Sequence, residues 1–206
     1  MSQPNQGATQ PPSSGYQIHQ YGEPDADRQS KNTYNVALYF QVTASQKILH
    51  VAAGDYVYPD ALSEDVNQYA DKTRPKLLAQ VGEQLTSYLP TGMKFDKVVV
   101  VNARNLVNKN KDYKWIFEVA GPVMASGATI VIARVDENQL SIQWVTANEQ
   151  IINRLGFTKT SPAAASATEQ GEAAIRALPG GTYGGPLGGM GTYSNANAVQ
   201  VVWRKK

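Results

Sequence analysis

The chain has 206 residues, of which 42% are hydrophobic and 17% charged, and its formal net charge is +2. That length holds one domain with a sizeable core or two very small ones, and so weak a charge supplies no global field toward nucleic acid or an anionic membrane. There is no cysteine, which excludes disulfides and thiolate metal sites.

The charge is unevenly spread. Residues 1–32 carry three acidic and two basic groups, residues 33–157 twelve of each, and residues 158–206 two acidic and five basic. The opening Met1-Ser2-Gln3-Pro4-Asn5-Gln6 lacks the basic-then-apolar layout of a secretory signal. Apolar runs such as Val98 to Val101 are too short to span a bilayer. These features favour a virion or cytoplasmic location with no transmembrane segment.

Residues 1–32 are rich in Gln, Pro, Ser, Gly, Asn and Asp. Such a composition buries too little apolar surface to offset the entropy of ordering, and it predicts a flexible arm. Tyr16, Ile18 and Tyr21 are its anchor points for a partner.

From Thr33 the pattern changes. Tyr34, Val36, Leu38, Phe40 and Val42 alternate with their neighbours, a period of two that predicts a strand. Ile48, Leu49 and Val51 predict a second strand, its hairpin partner. Pro59-Asp60 predicts a helix entry, and Leu77, Leu78, Val81, Leu85, Tyr88 and Leu89 form an amphipathic stripe after Pro75. Lys97 to Asn102 reads as a strand buried on both faces. Tyr113, Trp115, Phe117 and Val119 alternate and predict another strand. Thr129 to Val135 and Leu140 to Val145 flank Asp136-Glu137-Asn138 as a hairpin. Asn148 to Leu155 predicts a short helix capped by Gly156.

The expected fold is therefore α+β over residues 33–157: a mostly antiparallel sheet of about six strands with two or three helices on one face. An Ala- and Gly-rich linker follows over 158–198. Residues 199–206 close the sequence as a basic, strand-like segment whose Val201, Trp203, Arg204, Lys205 and Lys206 suit contact with a partner.

No pattern of chemistry stands out. Gly184 to Gly191 does not match a dinucleotide fingerprint and lacks the Lys-Ser/Thr of a phosphate loop. His19 and His50 are not spaced as a metal pair, and His50 is expected to face solvent or a neighbouring strand. Glu64-Asp65 reads as first-turn compensation of a helix dipole. No catalytic, cofactor or metal residue is thus assigned. One basic loop interleaves cations and rings: Arg104, Lys109, Lys111, Tyr113 and Trp115 have the ingredients of single-stranded nucleic-acid binding.

The function expected on this basis is non-enzymatic. The chain reads as a structural subunit of a large assembly, a virus or phage particle first, that contacts other protein subunits through its terminal arms. A single-stranded nucleic-acid-binding module built on residues 104–115, or a component of a bacterial secretion machine, are the alternatives.

Overall fold

The computed structural model describes residues 15–20, 22–43, 46–53, 60–65, 76–78, 84–101, 114–134, 147–160, 183–184, 190–191 and 199–206. Helix α1 spans Asp25–Val42. Pro24 precedes it, and Asp25 and Asp27 place negative charge in its first turn, where the helix dipole favours it. Its buried residues are Asn32, Asn35, Val36 and Tyr39, the i, i+3, i+4, i+7 set of one helix face. Two of those four are asparagines. A hydrophobic count omits them, which is why the apolar residues alone mimic a strand here. The helix also runs across residue 33, where the folded domain was expected to begin.

Strands β1 (Ile48–His50), β2 (Ala61–Asp65), β3 (Lys76–Leu78), β4 (Phe95–Val101) and β5 (Met124–Arg134) follow. Helix α2 (Lys114–Ala120) lies between β4 and β5, with a short 3-10 turn at Gly121–Val123. Helix α3 (Glu149–Arg154) leads through Gly156, at φ 90°, into β6 (Phe157–Lys159). A separate antiparallel pair joins β7 (Tyr183–Gly184) to β8 (Met190–Gly191), and β9 spans Val199–Lys205.

Seven strands form one sheet in the order β3-β2-β1-β4-β5-β9-β6. The pairs β3–β2, β2–β1, β1–β4 and β4–β5 are all parallel. β9 is antiparallel to both β5 and β6 and lies between them. The fold is thus α/β with a mostly parallel sheet, and the expected antiparallel α+β sheet is corrected. Parallel neighbours need crossover connections rather than hairpins, and the hairpin signals that suggested the antiparallel layout join no strands among the described residues.

One register row explains the core. Leu62, Leu49, Val98, Ile130 and Trp203 stand opposite one another across β2, β1, β4, β5 and β9, and each is 0% exposed. Ile116, Phe117 and Ala120 of α2 and Ile152 of α3 join the same cluster, as do Val36 and Tyr39 of α1. The Phe117 ring meets Phe157 at 5.1 Å and Trp203 at 5.8 Å, both edge-on, a geometry aromatic quadrupoles favour.

Further expectations are corrected at the level of elements. Trp115, Phe117 and Val119 of the expected alternation belong to α2, whose buried Ile116, Phe117, Val119 and Ala120 suit a helix packed on a sheet. Residues 61–65 are a strand and not a helix entry, and 76–78 are a strand where a helical stripe was expected. The β4 strand and the α3 helix stand where the sequence places them. The second hairpin strand, at 140–145, lies outside the described residues.

Candidate functional site

The chain leaves β1 in two directions. β2 lies on one side of it and β4 on the other, so the carboxyl ends of β1 and β4 form a topological switch point. In open α/β sheets that crevice is where ligands bind. The residues around it are tightly organised. The Val51 N–H donates to the Val99 carbonyl at 2.9 Å, and the Ala53 N–H to the Glu64 carbonyl at 2.8 Å. Between them Ala52 takes φ 51°, the left-handed region that is costly for a residue with a Cβ. Its N–H donates to Glu64 Oε2 at 3.0 Å. Glu64 is 6% exposed, so its carboxyl group is built into the turn. Asp65 ends β2 beside it and is half-buried.

Tyr39 works at the opposite end of these two strands. Its hydroxyl accepts the Ile48 N–H at 2.7 Å and directs its proton to the carbonyls of Asp60 at 2.9 Å and Ile48 at 3.1 Å. Asp60 is itself left-handed, at φ 59°. Burial pushes the Tyr39 phenol above its ordinary range, while the bond to the Ile48 backbone works the other way. One helix residue therefore ties the start of β1 to the residue that enters β2.

The β1–β2 connection consists of residues 51–60. A parallel crossover carrying its own helix ordinarily needs more chain than that. A dinucleotide or nucleotide diphosphate is usually held on the N-terminus of the helix after β1, and a connection this short leaves little room for one. Two carboxyl groups, those of Glu64 and Asp65, stand at the end of β2 beside the turn that follows β1.

The residues singled out from the sequence fall elsewhere. Tyr16 packs against the core, and Ile18 is 42% exposed with its carbonyl accepting Lys31 Nζ at 3.0 Å. Tyr21, Arg104, Lys109, Lys111 and Tyr113 lie outside the described residues. Trp115 is on α2 rather than on a loop or strand. Val201, Trp203, Arg204 and Lys205 are in β9, inside the chain's own sheet. Lys205 Nζ donates to the carbonyls of Gly121 at 2.7 Å and Met124 at 2.9 Å. Burial, with Lys94 nearby, holds its ammonium below the usual lysine range. The Lys206 N–H donates to Gly156 at 2.9 Å. His50, expected to face solvent or a neighbour, is 0% exposed. Glu64 and Asp65 end a strand rather than begin a helix. The residues at the switch point went unassigned because Ala52 and Tyr39 carry no motif. The one available signal was an acidic pair following a short apolar run and Gly54-Asp55.

No family model and no curated protein sequence matches the chain. Solved structures do. An S-adenosylmethionine-dependent methyltransferase from Mesorhizobium loti is similar at 14% identity and TM-score 0.41, over 82% of this chain and 96% of its own. A glycopeptide N-methyltransferase solved with S-adenosyl-L-methionine is similar at 9% identity and TM-score 0.43, over 85% and 94%. The precorrin-6y C5,15-methyltransferase of Geobacter metallireducens GS-15 is similar at 10% identity and TM-score 0.42, over 93% and 94%. At these scores the likeness identifies no ligand for this chain.

The expected non-enzymatic virion, phage or capsid subunit is corrected at its premise: the strand meant to reach a neighbouring subunit is paired on both sides within its own sheet. Residues 15–20, read as part of a free arm, are bonded to α1.

Proposed function

We propose that this chain is an enzyme that binds a nucleoside-bearing cofactor without a diphosphate, of the S-adenosylmethionine type, and transfers its methyl group to an acceptor. The observation that carries the reading is the switch-point turn: left-handed Ala52 held by the Glu64 carboxyl group at the carboxyl ends of β1 and β2. Backbone held in a sparsely populated conformation clusters at ligand sites, because surrounding structure must be built to keep it.

The residues fit such a group. Asp65, at the end of β2, is placed to accept hydrogen bonds from ribose hydroxyls, the role an acidic residue plays at this position of doubly wound folds. Glu64 keeps the turn after β1 in shape, so that its backbone can approach the ligand. Tyr39 ties the start of β1 to the residue that enters β2. When bound, the cofactor supplies an electrophilic methyl on sulfur, and the protein's contribution is to position and desolvate it.

Isothermal titration of the full chain with S-adenosylhomocysteine, NAD and ATP tests this. The expected result is saturable binding of S-adenosylhomocysteine, weakened at least tenfold in Asp65→Ala, with NAD and ATP weaker. Absence of S-adenosylhomocysteine binding at millimolar concentration, or tighter binding of a diphosphate nucleotide, overturns it.

A further inference from the structure

We propose that residues 16–20 form a strap whose docking on α1 is released by acid, with His19 as the proton sensor. The strap is joined to α1 by a two-point amide clamp. The Gln17 N–H donates to Asn35 Oδ1 at 2.7 Å, and Asn35 Nδ2 donates back to the Gln17 carbonyl at 2.9 Å. Lys31 Nζ reaches the Ile18 carbonyl at 3.0 Å and also bonds Glu23. Tyr16 packs on the core.

His19 sits beneath this clamp. It is 3% exposed, and neither ring nitrogen has a hydrogen-bond partner among the described residues. A buried polar side chain without partners is uncommon and calls for an explanation. The nearest acidic atom in an ion-pair geometry, Glu23 Oε2, stands 3.6 Å from Nδ1, beyond hydrogen-bond reach. Glu23 is already engaged, by Lys31 and by the Gln20 N–H at 3.4 Å. The charged groups facing His19 are Glu23 at the turn into α1, and Arg28 and Lys31 on α1 itself. Arg28 is itself bonded, its Nη1 donating to the Tyr88 hydroxyl at 3.3 Å. Two cations therefore oppose the one carboxylate.

An imidazolium formed here would be buried with only the Glu23 carboxylate, 3.6 Å away and already bonded to Lys31, to offset its desolvation, which is costly. Burial accordingly lowers the His19 pKa below its ordinary 6.5, with Glu23 opposing and Lys31 and Arg28 reinforcing. The sign follows. The docked strap binds fewer protons than the free strap, so docking is complete above pH 6.5 and weakens as pH falls below it. The effect reaches the sheet, because Asn35 and Tyr39 are one turn apart on α1. The residue that holds the strap and the residue that holds β1 share a helix face.

Nuclear magnetic resonance of the full chain, without ligand, reads the docking directly through the Gln17 backbone amide and the Asn35 side-chain amide. Asn35→Ala supplies the free-strap reference for the Gln17 amide. Between pH 8 and pH 5 the wild-type signals should shift toward the free position, with the docked-to-free ratio changing by up to about tenfold per pH unit, the limit for one linked proton. His19→Leu should stay docked throughout. If the wild type stays docked at pH 5, or His19→Leu releases as the wild type does, the proposal fails. Should His19→Leu not fold, the wild-type imidazole C–H shifts decide: a titration midpoint more than one unit from the release midpoint also overturns it. Because no ligand is used, the outcome is separate from that of the cofactor titration.

Discussion

The Glu64 carboxyl group accepts the N–H of Ala52 across two parallel strands, at 3.0 Å. It does so where Ala52 is held at φ 51°. A side chain on one strand thereby stabilises an unfavourable backbone conformation at the end of the next. Two substitutions separate the parts of this arrangement. Ala52→Gly removes the Cβ penalty and should stabilise the fold by about 1 kcal/mol. Glu64→Ala leaves the N–H without its acceptor and should cost about 1–3 kcal/mol. Urea denaturation of the two variants checks both signs.

Tyr39→Phe tests the tie between the start of β1 and the entry to β2. Its hydroxyl is bonded to Ile48 and to Asp60, so its loss leaves a buried N–H without an acceptor. The expected cost is about 1–3 kcal/mol. Amide exchange should rise first at Ile48, ahead of the sheet centre at Val98–Val100.

The same residue sets an alkaline limit. Burial raises the phenol pKa of Tyr39 above its ordinary 10.0, so the folded state disfavours the phenolate. The unfolded chain loses this proton first, and stability is present below pH 10 and falls as pH rises beyond it. Burial also raises Tyr16. Denaturation midpoints measured from pH 8.5 to 11 should decline above pH 10, and less steeply in Tyr39→Phe.

Trp203 joins β9 to the helices. It is 0% exposed and packs edge-on against Phe117. Trp203→Ala should cost about 3–5 kcal/mol through cavity formation. Trp203→Phe, which keeps a ring at the site, should recover more than half of that by the same denaturation assay.

Lys205 anchors the end of β9 to the turn before β5. Replacing it with Met keeps the stem but removes the charge-assisted bonds to Gly121 and Met124. A cost of about 1.5–3 kcal/mol is expected, measured by thermal unfolding at constant ionic strength.

Parts of the fold were legible in the sequence for clear reasons. β4 carries four consecutive valines, and only a strand buried on both faces uses such a run. α3 has apolar residues at helical spacing and a glycine stop. By contrast, α1 buries Asn32 and Asn35 for the sake of polar contacts such as the Gln17 clamp, and a hydrophobic pattern cannot register them. β2 reads Ala-Leu-Ser-Glu-Asp, a poor strand by propensity. It is a strand because β1 and β3 supply hydrogen bonds on both sides. The site was less legible still. It depends on which strand ends meet, and topology places His50, Glu64 and Val99 together although the chain separates them.

The strand order carries a consequence for how the protein is made. Among the described residues β6 has one neighbour, β9, and Thr158 finds its opposite number in Arg204. A growing chain therefore emerges with β5 presenting an open edge and β6 unattached until residues 199–205 arrive. Contacts of such separation close slowly, and an apolar edge such as Ile130 and Ile132 is exposed to wrong partners meanwhile. Soluble yield should accordingly depend on synthesis temperature more than the stability of the finished fold implies.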